Sequence, residues 1–190
     1  MERGVLVNQL YSPNLATDFV TEQGNQIRTR LIQPEDADLL IELFHHLSPD
    51  TKRRRFNIGL QNVEEKRIQE VAQLLAAVDN RTTGGAILGF VTDPTEALIT
   101  VARLARPENH PDSPTAEVAV VVRDDYQGQG IGTQMLKQLI ALARQMKIKT
   151  LTAGIQSDNT AIFRILNKLN TPVEMHTSHG ETEIWINIEE

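Results

Sequence analysis

The sequence contains no cysteine, which excludes disulfides, thiolate nucleophiles and thiolate metal sites. No apolar run approaches the roughly 18 residues of a membrane-spanning helix. The opening stretch MERGVLVNQLYSPN lacks the apolar core of a signal peptide. A basic excess is missing too. Against 19 Lys and Arg stand 25 Asp and Glu, a formal net charge of −6, which argues against nucleic-acid binding. Internal repeats, low-complexity segments and a clear domain boundary are likewise lacking. What remains is 190 residues, 40 % of them apolar, enough for one domain with a hydrophobic core. These features predict a soluble, cytoplasmic protein with neither a nucleic-acid nor a membrane partner.

Residues 1–25 show little periodicity and read as a leader or an extra edge element; residues 26–190 read as a single domain. QIRTRLI (26–32) alternates as a strand. PEDADLLIELFHHLS (34–48) opens with Pro34 and acids and carries Leu39, Leu40, Leu43, Phe44 and Leu47 on one helical face. Ser48 is placed to cap a short second helix, and Asn62 to cap a helix through NVEEKRIQEVAQLLAAV (62–78). GAILGFVTD (85–93) and ALITVARLA (97–105) are strand-like, and TAEVAVVVR (115–123) reads as a strand buried on both faces. GTQMLKQLIALARQMKI (132–148) is a helix with Met135, Leu139, Leu142 and Met146 on one stripe. KTLTAGI is a strand, SDNTAIFRILNKLN a helix opened by Ser157, Asp158 or Asn159, and VEMHT and TEIWINI flank a Ser178-His179-Gly180 hairpin end. The expected fold is α/β (α+β), a mixed sheet of about six to seven strands flanked by about four helices.

Gly128, Gly130 and Gly132 fall between the stiffest strand and a strong helix. A helix N-terminus leaves N–H groups unpaired and carries the positive dipole end. Glycine lets the backbone take positive φ and approach a ligand closely. Together they make a cradle for a phosphate. The spacing is neither that of a P-loop nor that of a dinucleotide fingerprint, whose acid about 20 residues on is replaced by Lys147 and Lys149.

VVRDDYQGQGIGTQML resembles the acyl-CoA-binding motif of the GCN5-related N-acetyltransferases (GNAT), Gln/Arg-x-x-Gly-x-Gly/Ala, matched by Gln127, Gly130 and Gly132. IRTRLIQPEDADLLIELFHHLSPDTKRRRF, TAEVAVVV and SDNTAIFRILNKLNTPVE are similar to flanking elements of the acetyltransferase domain of bacterial Pat-type protein-lysine acetyltransferases. The resemblance implies a GNAT fold over about Gln26 to Ile188 and acetyl-CoA as co-substrate. The donor would be held by Val120, Val122, Gln127, Gly128, Gln129, Gly130, Ile131, Gly132 and Thr133, with Asn159 on the pantetheine arm. Two departures stand out. Asn170 and Thr171 replace the usual Gly-Phe, and Leu166 occupies the place of a tyrosine that protonates the departing thiolate.

An acceptor amine with a pKa near 10.4 is about 99.9 % protonated at pH 7, so a base is needed. Glu117 is the only ionisable residue inside the central strand and, with the matching glutamate of the Pat-like pattern, is the candidate general base. The structural alternative is a strand-end glutamate paired with an arginine such as Arg103. Asn159 is equally a helix cap. Arg164 reads as a solvated residue or a contact for the 3′-phosphate, and Lys52 to Arg55 as a charged helix face or a steering patch. His176 and His179 lack metal-ligating partners, so no metal is expected. Asp124 and Asp125 shape the turn before the glycines; Phe90 and Trp185 belong to the core or sheet. The acceptor is a primary amine. The resemblance favours a protein lysine, and the acidic net charge would suit a cationic small molecule such as a polyamine. A non-catalytic acyl-CoA-binding module and a homodimer are left open.

Overall fold

The computed structural model describes residues 17–56, 63–169 and 171–189. Among them are eight strands: β1 (Phe19–Val20), β2 (Gln26–Leu31), β3 (Gly84–Val91), β4 (Ala97–Ala105), β5 (Thr115–Val122), β6 (Thr150–Gln156), β7 (Val173–Ser178) and β8 (Glu181–Asn187). Five helices accompany them: α1 (Ala37–His46), α2 (Pro49–Phe56), α3 (Glu65–Ala76), α4 (Ile131–Gln145) and α5 (Thr160–Leu166). The sheet runs β1-β2-β3-β4-β5-β6-β8-β7. Every ladder is antiparallel except β5–β6, which is parallel and is joined through α4, as a parallel pair requires.

The expected strand count was low by one. The addition is β1, two residues inside the stretch read as a leader or an extra edge element, which pair with β2 at the sheet edge. A two-residue strand leaves no periodicity to read. α2 is also a full helix, with the Ser48 hydroxyl accepting from the Thr51 N–H at 3.2 Å. The Asn62 cap lies outside the described residues, as does Asn170; within them, α3 begins at Glu65. The closing hairpin turns through His179 and Gly180, both at positive φ (51° and 85°).

The sheet is covered on both faces. On one, α4 lays Met135, Leu139 and Leu142, all fully buried, against Ile87, Ala102, Leu104 and Ala116. The four residues of the predicted stripe are all buried; a fully buried Leu or Met contributes about 1.5–3 kcal/mol. On the other face, Leu43 of α1, Leu47 just after it and Ala76 of α3 pack on Ala86, Leu88 and Phe90. β5 was expected to be buried on both faces. In fact only Ala116 and Val118 are buried, Glu117 is exposed, and Ala119 to Val122 are half-buried. The strand loses its neighbour partway along.

Asp36 pins α1 to the sheet. It is 5 % exposed, receives two guanidinium hydrogen bonds from Arg30 of β2 (2.6 and 2.7 Å), and accepts the Gln33 N–H at 2.7 Å. Burial pushes its carboxyl up, but the Arg30 and Gln33 hydrogen bonds outweigh it and hold the group below the usual carboxylate value. A depressed folded-state pKa gives stability that is present above the unfolded value and lost as pH falls through the folded one. Asp36→Asn is therefore expected to lower unfolding free energy by about 2–4 kcal/mol at neutral pH. The deficit should narrow as the wild type is acidified below about pH 4. Urea denaturation across pH measures both.

Candidate active site

β5 and β6 pair only at Thr115↔Thr150, Ala116↔Leu151 and Glu117↔Thr152. Beyond Glu117 they part. β5 follows β4, paired from Glu117 to Val122, and β6 follows β8, paired along its whole length. The register decides which backbone groups this exposes. The Arg123 N–H bonds the Ile99 carbonyl at 2.8 Å, which makes 99 and 123 a hydrogen-bonded pair. Antiparallel pairs alternate, so residues 117, 119 and 121 direct their N–H and C=O groups to β4. Val118, Val120 and Val122 direct theirs to the β6 side, where the Glu117↔Thr152 pairing still engages the Val118 N–H and the groups beyond it face the gap. The Val122 carbonyl accepts the Gln127 side-chain amide at 3.0 Å. The parting opens a cleft of about 490 Å³, bounded by β5, by Ala153 to Ile155 of β6, by the start of α4 and by α5. Its volume suits a ligand pocket.

The glycine loop stands at the head of this cleft. Gly128 and Gly130 have positive φ (76° and 82°), and a Cβ built on either meets nothing within 4 Å, so these glycines serve backbone conformation and leave the approach open. Gly130 is the left-handed cap of α4. Thr133 and Gln134 both donate to its carbonyl (3.1 and 3.2 Å), so the N–H groups of Gly130, Ile131 and Gly132 precede the helical ladder. Gly132 has a different reason to be glycine: a Cβ there would stand 2.9 Å from Ile165 Cδ1, so it lets α4 approach α5. Gln129 is buried, and its side chain turns away from the cleft to accept from Asn25 Nδ2 (2.8 Å) and the Thr21 hydroxyl (3.2 Å). Its side-chain amide also donates to the Asp125 carbonyl (3.4 Å). Ile131 is fully buried in the core, and Thr133 is 9 % exposed at the cleft wall.

Glu117 lies where β5 and β6 rejoin, on the face covered by α2. It makes no side-chain hydrogen bond or close ion pair among the described residues, although its charge acts on Arg103 and Arg55. Asn159 occupies the N-cap position of α5 but makes no capping hydrogen bond, and it lines the cleft. Leu166 is buried in the core at the cleft floor, and Arg164 is exposed at the wall. Val120 and Val122 face the opening through their backbones. Among the described residues no cluster of His, Asp and Glu is arranged to hold a metal, and no helix is long and apolar enough to cross a membrane.

Sequence reasoning missed how α2 is held. Asp124 caps it from the glycine loop, accepting the Ser48 N–H (2.8 Å) and the Ser48 and Thr51 hydroxyls (both 2.7 Å). From the same helix Arg53 reaches the far lip, bonding Gln156 at the end of β6 and Asp158 (3.3 Å). α2 is thus tied to both sides of the opening. Ser48 and Asp124 are 76 residues apart, and no local pattern links them.

A sheet parted beside its one parallel pair, with a glycine-capped helix N-terminus at the head of the gap, is the arrangement of an acetyltransferase of the GNAT type. The family model for the acetyltransferase (GNAT) domain matches residues 26–171, and the chain belongs to that family, whose members use acetyl-CoA as co-substrate. It is 31 % identical over 163 residues to the acetyltransferase Pat of Mycolicibacterium smegmatis, covering 80 % of this chain and 44 % of the relative. Over 55 residues, 29 % of this chain and 32 % of the relative, it is 40 % identical to an L-methionine sulfoximine/L-methionine sulfone acetyltransferase of Pseudomonas aeruginosa. The chain thus spans less than half the length of these curated relatives. In structure it is similar to the GNAT domain of S. lividans PAT, with a TM-score of 0.77, 20 % identity and coverage of 93 % of this chain and 99 % of that one.

The Asp124 clamp yields a prediction. Burial pushes its carboxyl up, yet the Ser48 and Thr51 hydrogen bonds hold it below the usual value. Asp124→Ala is expected to cost about 1–2 kcal/mol, as the loss of a helix cap does. It should raise amide exchange selectively in Thr51 to Phe56, measured by hydrogen–deuterium exchange.

Proposed function

We propose that this domain moves the acetyl group of acetyl-CoA to a primary amine, with a protein lysine favoured as acceptor by the similarity to Pat. The observation that carries the reading is the edge of β5 beyond Glu117, which β6 leaves and whose backbone groups around Val120 face the cleft on the way from the glycine loop to Glu117. Its five residue steps from Val122 to Glu117 span about 17 Å. On this reading the donor pyrophosphate lies on the N–H groups of Gly128 to Gly132, stabilised by the helix dipole. The pantetheine amides pair with Val120 and Val122 as an added strand would, and Asn159 supplies a side-chain contact from the opposite wall. Gln127 holds the loop against the Val122 carbonyl and the Thr51 hydroxyl.

The thioester then sits beside Glu117. Glu117 accepts a proton from the ammonium, directly or through water. The neutral amine attacks the carbonyl carbon, a C–N bond forms, and collapse of the tetrahedral intermediate breaks the C–S bond; coenzyme A leaves as thiolate and takes up, directly or through water, the proton that the new amide nitrogen sheds. A thiol of pKa near 8.5 is a good leaving group, so the reaction tolerates Leu166 where a tyrosine acid would stand. A small-molecule acceptor is the second reading, favoured by the 55-residue match to a relative named for acetylating L-methionine sulfoximine.

Glu117→Gln is expected to lower kcat/KM by about 10²–10⁴-fold at neutral pH, with acetyl-CoA affinity little changed and the deficit shrinking at high pH as the amine deprotonates itself. Kinetics over pH measure this, and unchanged rates would remove Glu117 from the mechanism. Gly130→Glu puts a side chain and a negative charge at a positive-φ position facing the cleft. It is expected to abolish acetyl-CoA binding in calorimetry while leaving a cooperative fold. Leu166→Tyr is expected to retain turnover in a thiol-release assay.

A further inference from the structure

Two guanidinium groups near Glu117 lack a counter-ion of their own. Arg103 on β4 is registered opposite Ala119, next but one to Glu117 on the same face of the sheet. Arg55 reaches the same patch from α2. Both line a small cavity of about 60 Å³ whose other walls include Leu43, Phe44, Val101 and Val121, and Arg55 also borders the main cleft. Arg103 Nε is buried without a hydrogen-bond partner. Among the described residues neither arginine makes an ion pair, whereas Arg53 and Arg54 of the same helix both pair with Asp50. Burial and the charge of Arg103 bring the Arg55 guanidinium down to about 10. Burial lowers Arg103 as well, against the opposing charge of Glu117. Two cations against one carboxylate, in apolar surroundings, is a costly arrangement that an arriving anion would relieve.

We propose that Arg55 and Arg103 receive a carboxylate of the acceptor, carried close to the amine that Glu117 deprotonates. The inference rests on the acetyl-transfer reading above and deepens it by naming the chemistry of the acceptor. A planar carboxylate matches the guanidinium fork. The donor phosphates are not the better occupant, because the glycine loop begins beyond Val122, three residue steps or about 10 Å further along β5 from Ala119. A polyamine, which the acidic net charge alone would suit, meets the wrong sign here. Two kinds of acceptor carry this chemistry: an amino acid through its own carboxylate, and a lysine peptide with an acidic neighbour.

The test is a thiol-release assay with paired acceptors, free amino acids against their carboxamides and lysine peptides flanked by Glu against the same peptides flanked by Gln. The acid member of one set is expected to show a KM lower by about 10- to 100-fold, and the set that responds identifies the source of the carboxylate. Arg55→Gln and Arg103→Gln should each erase the difference, Arg103→Lys should keep part of it, and acetyl-CoA affinity in calorimetry should stay near wild type. Arg55→Gln, on a half-buried helical position, carries the test alone if the β4 variant does not fold. Equal KM within every pair overturns the proposal while leaving acetyl transfer standing, and so does a loss of acetyl-CoA affinity in the arginine variants. Turnover of no carboxylate-bearing amine by a protein that binds acetyl-CoA overturns it too. A wild type that fails to bind acetyl-CoA removes the acetyl-transfer reading itself.

Discussion

The parting of β5 from β6 after Glu117 is the constraint on which the site depends. Each strand keeps its outer partner, so both remain well paired on one side while their facing edges go unpaired. Unpaired strand edges attract pairing partners. Here the open length is short, up to Val122 on one lip and Ala153 to Ile155 on the other, and α2 is drawn across it. The cleft and the alignment of the glycine loop with its head both follow from where the three-residue ladder, ending at Glu117, stops.

The loop at the head is held from outside the cleft. Gln129 turns inward to the β1–β2 connection, Asp124 caps α2, and Gln127 returns to the Val122 carbonyl. Three polar side chains within six residues, Asp124, Gln127 and Gln129, look like solvent-facing loop chemistry but fix the backbone from three directions. The N–H groups between them are thereby pre-aimed, and preorganised dipoles need no reorientation when charge arrives.

Much of this was legible in the sequence, because its signals are local. The α4 stripe at Met135, Leu139, Leu142 and Met146, the glycine spacing and the lone acid in an apolar strand are each read within a few residues, and together they point to the family. The parts that were not legible are those made by distant contacts. The full burial expected for β5 was wrong because a continuous apolar run does not reveal that one neighbouring strand leaves halfway. Phe19 and Val20 carry too few residues for alternation to show. The run Lys52 to Arg55 reads as one charged face, yet Arg53 and Arg54 are neutralised by Asp50 while Arg55 is turned toward Arg103 and Glu117; only the folded register separates them.

The backbone alternation along β5 also bears on how such a domain diverges. If the donor is recognised chiefly through main-chain groups at Val118 to Gly132, most side chains there are free to change provided the strand stays extended and the two positive-φ glycines remain. The α2 face, by contrast, is defined by side chains, and exchanging one of them need not disturb the donor lip. On that footing the donor lip and the acceptor face are separable parts of one fold, the fold being what the chain shares with a solved structure at 20 % identity.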